Sequence, residues 1–399
     1  MKKRIVIVGS SFAGYTTALE LAKSLKGKHE LIVIDKKPEF TFLPSLVWYP
    51  FGYRDSSNIT FNVLPLYNEC GVTFLQTEVY GFDLKDQLVH TPTEDIPYDY
   101  LVITTGIRPN YASVKGLLPG INSWSICDRE NAEKTKKAWK AFLENPGPMV
   151  IGAAQWAGYF FVAYEFLLNA LYHLKKRNVL DKAPIYFVTP EPHLTHFGIE
   201  GHEQEITACC DLFDHYNVHW KINSEIREVR DHMVCMESGG KFLSDFTMII
   251  PQFTGVNAIK TTRRLADRHG LIHVNEHFQH KEFDQVYAAG GTVFIDQDNE
   301  TLIPCGVPRT KSASELMAKT VAANILADLS GEPKRAIPNQ TLYDEIRHDI
   351  NHLGFILFSQ HKGPKHDLDF IAKGSQDKWT NMSLKQYIDT SFESMNLKL

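Results

Sequence analysis

Apolar positions in this chain fall in short unbroken runs separated by longer stretches of helical spacing. Arg4–Val8 is one such run, Tyr15–Leu25 carries helical spacing, and Leu31–Ile34 is a second run that stops at Asp35. Runs this short, bounded by glycine, read as buried strands of a parallel sheet with helices on its faces. The pattern predicts further strands over Val72–Gln76, Tyr100–Thr104, Met149–Ile151, Ile185–Val188 and Gln285–Ala289, and a hairpin over Glu78–Val89. Helices are predicted over Phe61–Cys70, Arg129–Asn145, Tyr159–Lys176, Glu203–His215 and Ser312–Leu329, the last amphipathic and stopped by Ser330-Gly331-Glu332-Pro333. Val218–Ile250 reads as short strands around Gly239-Gly240, and Pro38–Tyr53 as a loop dense in aromatics and prolines. Such apolar content is costly on a surface, so the loop is expected to be buried over a ligand rather than left as an exposed patch. Beyond Lys334 the composition shifts. Strands are expected over Asn351–Gln360 and Asp367–Ile371, and a final amphipathic helix over Leu384–Met395.

Between the first strand and the first helix lies Gly9-Ser10-Ser11-Phe12-Ala13-Gly14. Strand, tight glycine turn, helix, strand and acidic residue in that order make the dinucleotide-binding fingerprint. Gly9 permits the turn, Gly14 lets the helix pack close on the strand, and Ser11 replaces the middle glycine while staying small enough for a phosphate. The helix start offers unpaired N–H groups and partial positive charge to a pyrophosphate. Asp35 is placed to accept from a ribose hydroxyl. Met149–Ile151, the turn Gly152–Gly158 and the apolar helix after it repeat this arrangement, so the chain carries an internal repeat of architecture. In the second turn Ala154 and Ala157 replace glycines and Trp156 adds bulk, so any nicotinamide-nucleotide site there is compromised.

A chain of 399 residues predicts two to three domains. A net charge of −5 argues against a nucleic-acid partner. No apolar run approaches the ~20 residues of a membrane-crossing helix, and the basic start lacks a signal-peptide core, so a cytoplasmic location is expected. The six cysteines include no Cys-x-x-Cys pair, and no histidine arrangement on a predicted helix marks a metal site; neither a disulfide framework nor a metal site is expected.

Several segments together carry a family resemblance: Phe40-Thr41-Phe42-Leu43-Pro44-Ser45, Tyr98–Gly106, Ser125-Ile126-Cys127, His196-Phe197-Gly198-Ile199, Tyr287-Ala288-Ala289-Gly290 and Pro304–Thr310. With them the chain resembles the flavoproteins that have two dinucleotide-binding domains, and among these the sulfide:quinone oxidoreductases, relatives of flavocytochrome c sulfide dehydrogenase and the type-2 NADH dehydrogenases. The resemblance implies an α/β fold with two Rossmann-like domains of the glutathione-reductase type and a small C-terminal region. Residues 1–115 and 255–330 would form the FAD domain, 116–254 the second Rossmann-like domain, and 331–399 a region for quinone, membrane or dimer contact. FAD would be held by Gly9, Ser11, Phe12, Ala13, Gly14, Asp35 and Lys36, by Pro44, by Thr105, Gly106 and Arg108, and by Gly290, Gly291, Arg309 and Thr310. The implied partners are a sulfide, persulfide or thiol donor and a quinone, with weak contact to the inner membrane face and a homodimer as further expectations.

The chain also departs from that family. Tyr159 stands where the first member of the family's redox cysteine pair is expected, and no cysteine follows Cys305. Cys127 matches the family's third cysteine, beside the flavin's dimethylbenzene edge. It is read either as a thiol that holds sulfur or joins the ring, or as a small buried residue. Cys305 is read as a relocated redox cysteine activated by a helix N-terminus, or as a packed loop residue. Glu165, among Phe160, Phe161 and Phe166, suits proton transfer; His196 and His202 are relay candidates or structural histidines. The leading expectation is sulfide-to-quinone oxidation. Its rivals are an NAD(P)H:acceptor oxidoreductase and a flavin-bearing binding or sensor protein without turnover.

Overall fold

The computed structural model describes residues 2–297, 299–352, 367–369 and 384–395. A five-stranded parallel sheet runs in the order Val286–Ala288, Tyr100–Ile103, Arg4–Val8, Glu30–Asp35, Thr73–Gln76. Ile5, Val6, Ile7, Leu101, Val102 and Ile103 are fully buried, which is why their sequence runs are unbroken rather than alternating. A second parallel sheet runs Val218–Lys221, Ile185–Val188, Met149–Ala153, Phe246–Ile250. Two Rossmann-like units, each with its strand–glycine turn–helix, are therefore present as expected. The chain passes between them through Ile107–Pro109 and Phe253–Gly255, which pair antiparallel with Arg108 opposite Thr254.

Several elements depart from the sequence expectation. Pro38–Tyr53 is built rather than irregular: Glu39–Thr41 pairs with Thr60–Asn62, and Leu43–Trp48 forms a tight helical turn. Alternation within the strand sends Phe40 and Phe42 inward. Val218–Ile250 is a run of short strands as expected, and its first and last strands complete the second parallel sheet. Lys311–Ser330 is not one-sided. It lies between Phe12–Leu25 and a helix not anticipated, Asn339–Asn351, and so buries Met317, Val321 and Ile325 as well as Ala313, Ala318 and Ala322. Asn351 ends that helix instead of opening a strand, and Leu368 and Asp369 are helical; 353–360 and 370–371 lie outside the described residues.

Leu384–Ser394 is a helix as expected. Its apolar stripe packs on the protein: Leu384 and Tyr387 are buried, and Ile388, Phe392 and Met395 lie against the core. Tyr387 stands among Phe40 (centroids 5.3 Å), Phe12 (5.7 Å) and Phe42 (6.0 Å). Tyr387→Ala is expected to lower stability by about 3 kcal/mol, the usual cost of truncating a buried aromatic, measurable by urea unfolding. No described helix is long and apolar enough to cross a membrane.

Candidate cofactor and redox site

The first glycine turn is fixed by backbone contacts. Gly9 has φ +104° and donates its N–H to Ile34 O at 2.9 Å. The Thr104 hydroxyl donates to Val8 O (2.9 Å) and Gly9 O (3.0 Å), which ties the turn to the neighbouring strand. A Cβ on Gly14 would lie 1.9 Å from Gly9 O, so only glycine allows this helix to start so close to the strand. The helix Phe12–Leu25 begins with no side-chain cap at Ser11, leaving its first N–H groups to a ligand. Asp35 accepts from Ser10 N at 2.7 Å and from Lys37 N at 3.4 Å. Its first task is thus to hold the turn, and its carboxylate keeps further lone pairs on the adjoining cavity. That cavity, of about 170 Å³, is lined by Ser10, Ser11, Asp35, Glu39, Phe40, Thr41 and Leu43.

The cradle continues beyond the cavity. A Cβ on Gly290 would stand 2.9 Å from the Ala13 side chain, and one on Gly291 would stand 3.6 Å from the Gly106 Cα. The first turn, Thr105-Gly106 and Gly290-Gly291 therefore meet. Four buried polar atoms on these and adjoining segments have no protein partner among the described residues: Thr105 Oγ1, Thr292 Oγ1, Arg309 Nη1 and Thr310 Oγ1. Buried polar groups are nearly always satisfied. A cleft with free helix N–H groups, close glycines and orphaned donors fits a dinucleotide. Pro44 is exposed beside Leu43 at the mouth. Lys36 and Arg108 are both exposed, Lys36 paired with Glu78 and Arg108 bonded to Asn257.

The second glycine turn is closed by its own protein. Trp156 N donates to Pro304 O and Gly306 N to Ala157 O, both at 2.7 Å. The Gln155 amide clamps the backbone of Ile226 in both directions at 3.2 Å. Glu191, near the end of the next strand where a nucleotide ribose would need an acid, is wholly buried. It accepts from Thr189 Oγ1 (2.6 Å), Tyr164 Oη (3.0 Å) and Phe197 N (2.7 Å). Burial pushes its carboxyl up to about 7 despite those bonds. Two of its donors are local, Thr189 at the end of the same strand and Phe197 in the following loop; the third, Tyr164, comes from the helix Phe160–Lys176.

The cysteines are all free thiols. Burial pushes Cys127 up to about 12, against the pull of the Ser125 and Tyr111 hydroxyls. Cys305 is buried in the loop ahead of Lys311–Ser330, and burial raises its thiol to about 12. Its Sγ lies 3.6 Å from Ile303 O, and the carboxyl of Glu191 lies within electrostatic reach. Tyr159 precedes the helix Phe160–Lys176, with its ring 4.7 Å from Phe253, and interacts electrostatically with Arg309 and Cys127. Glu165 and His196 are buried, the latter accepting from Gly198 N at 3.2 Å. Cys209 is buried and Cys210 half-buried. Among the described residues no cluster could hold a metal ion.

Comparison with known proteins agrees with this architecture. Residues 3–315 match the model of the pyridine nucleotide-disulphide oxidoreductase family. A sulfide-quinone reductase of Aquifex aeolicus is 32% identical over 345 residues, 85% of this chain and 79% of that protein. A solved structure of the Aquifex aeolicus sulfide:quinone oxidoreductase superposes with a TM-score of 0.79 at 32% identity, over 83% of this chain and 78% of the other. NDH2 of Plasmodium falciparum, solved with NADH, shares the fold at 14% identity with a TM-score of 0.61, over 94% of this chain and 82% of the other.

Proposed function

The chain belongs to the pyridine nucleotide-disulphide oxidoreductase family, and on that premise we propose that it is an FAD-dependent oxidoreductase of the sulfide:quinone type. One observation carries the reading: the two glycine turns are unequal. The first is open and lined with unclaimed donors, while the second is plugged by Pro304–Gly306 and clamped by Gln155. One dinucleotide site remains, so the electrons come from a small donor such as sulfide, a persulfide or a thiol, and not from a nicotinamide nucleotide. FAD, when bound, accepts an electron pair from the donor and passes it to a quinone. The first turn and helix start hold its pyrophosphate, Asp35 a ribose hydroxyl, and Thr105, Thr292, Arg309 and Thr310 its remaining polar groups. Burial favours the protonated forms of Cys127 and Cys305, so a sulfide sulfur would join either only with loss of the thiol proton and of two electrons, which bound FAD would accept. Glu191, pushed up to about 7 by burial, interacts electrostatically with Cys305.

The raised thiols and missing cysteine pair favour one other reading, a flavin-bearing protein without turnover. An anaerobic flavin spectrum titrated with sodium sulfide and then NADH separates the cases. Bleaching by sulfide alone is expected, and the rates of Cys127→Ser and Cys305→Ser show which thiol carries the sulfur. Bleaching by NADH would sink the closed-turn argument, and no bleaching by sulfide, thiols or NADH would leave the binding role.

A further inference from the structure

The helix Lys311–Ser330 begins at the cofactor cradle. A Cβ on Gly290 would lie 3.7 Å from Ser314 Oγ, and Ser314 is tied back to the Thr310 carbonyl through its N–H (3.1 Å) and its hydroxyl (2.7 Å). Thr310 is the residue before the helix, yet its side chain caps nothing and its hydroxyl is buried without a partner. The cap comes from the C-terminal region instead. Asp349, on Asn339–Asn351, accepts from Ser312 N at 2.8 Å and from the Ser312 hydroxyl at 2.6 Å. Two other charges at this end cancel: Lys311 pairs with Glu315 at 3.1 Å, both little exposed. Arg309, which also interacts with Asp267, immediately precedes Thr310 and this helix, and Asp349 adds a carboxylate at a helix end worth roughly +0.5 of an elementary charge.

We propose that Asp349 is a positioning residue that sets the electron affinity of the bound flavin. It caps the helix end that faces the cradle, frees the Thr310 hydroxyl for the cofactor, and places a negative charge against the positive field of Arg309 and the helix. The inference rests on FAD occupying the first turn. Reduction adds two electrons and one proton, so the reduced cofactor carries one more negative charge than the oxidised one. A carboxylate nearby disfavours that form and lowers the midpoint potential.

Asp349→Asn keeps the shape and an acceptor for Ser312 N while removing the charge. Its midpoint potential, measured on FAD-loaded protein against a reference dye, is expected to shift to more positive values with FAD content and unfolding temperature close to wild type. An unchanged potential overturns the proposal, because a merely structural cap would move stability and not potential. If Asp349→Asn fails to fold, Asp349→Glu against Asp349→Gln makes the same comparison at equal shape: the neutral member must be the more positive, and equality overturns the proposal. Wild-type protein that takes up no FAD refutes the underlying reading, and the inference with it; FAD-loaded variants of equal potential refute the inference alone.

Discussion

Gly14→Ala is expected to yield protein that purifies without its flavin. The added Cβ would stand 1.9 Å from Gly9 O and 2.6 Å from Thr104 Oγ1. Neither neighbour is a flexible side-chain end. Gly9 O is backbone in a turn held by the Ile34 carbonyl, and Thr104 Oγ1 is engaged with two carbonyls. The helix must therefore move away from the strand, which opens the turn and misplaces the N–H groups meant for the pyrophosphate. Overpacking alone costs roughly 1–3 kcal/mol, and the lost cofactor removes its own mass-action contribution to stability. The ratio of flavin to protein absorbance and the unfolding temperature of the same sample check it. A variant that keeps both at wild-type values would show that the helix does not need its close approach.

The second large effect is a pair of opposed pH dependences. His173 sits between Phe51 and Trp139 with Nε2 3.1 Å from the Tyr53 hydroxyl, and burial lowers it to about 4. Its unfolded value is about 6.5. The stability it supports is whole above the unfolded value and is lost as pH falls toward 4, roughly 3 kcal/mol in all. Glu191 runs the other way. Its folded value of about 7 lies above the unfolded 4.5, so its contribution is whole below 4.5 and is lost as pH rises through 7, again roughly 3 kcal/mol. Between these limits the two slopes offset, and the wild-type profile is expected to be shallow. The variants separate them. His173→Gln gains on wild type as pH falls from about 6.5 to about 4, and Glu191→Gln gains on wild type as pH rises from about 4.5 to about 7. Denaturant unfolding across that window measures both. A Glu191→Gln difference that is flat with pH would mean that water reaches the carboxyl.

The expected environments of individual residues fared unevenly, for a physical reason. Gly9, Gly14 and Asp35 act within one strand–turn–helix unit, where spacing along the chain dictates spacing in space, and their contacts follow the fingerprint. The distance from Cys305 to a helix start says little about its thiol, which is buried beside the second glycine turn packed against Gly306 and interacts with Glu191. Arg108 follows the Thr105-Gly106 motif closely enough to suggest a cofactor contact. The antiparallel link to Phe253–Gly255 presents it to solvent and Asn257. The aromatic loop was recognised as too apolar for a surface; that Tyr387, at the far end of the chain, packs behind it was not legible from either segment alone.

By itself the sequence determined the two Rossmann-like units, the first turn's suitability for a dinucleotide and the weakness of the second, because each is a matter of local period, glycine position and side-chain bulk. Only the tertiary structure decided that the second turn is plugged by Pro304–Gly306, that Tyr164 from the preceding helix reaches the buried Glu191, and that Asp349 caps a helix begun 38 residues earlier. Those outcomes depend on burial and on partners brought together from distant parts of the chain, and both exist only once the units have packed.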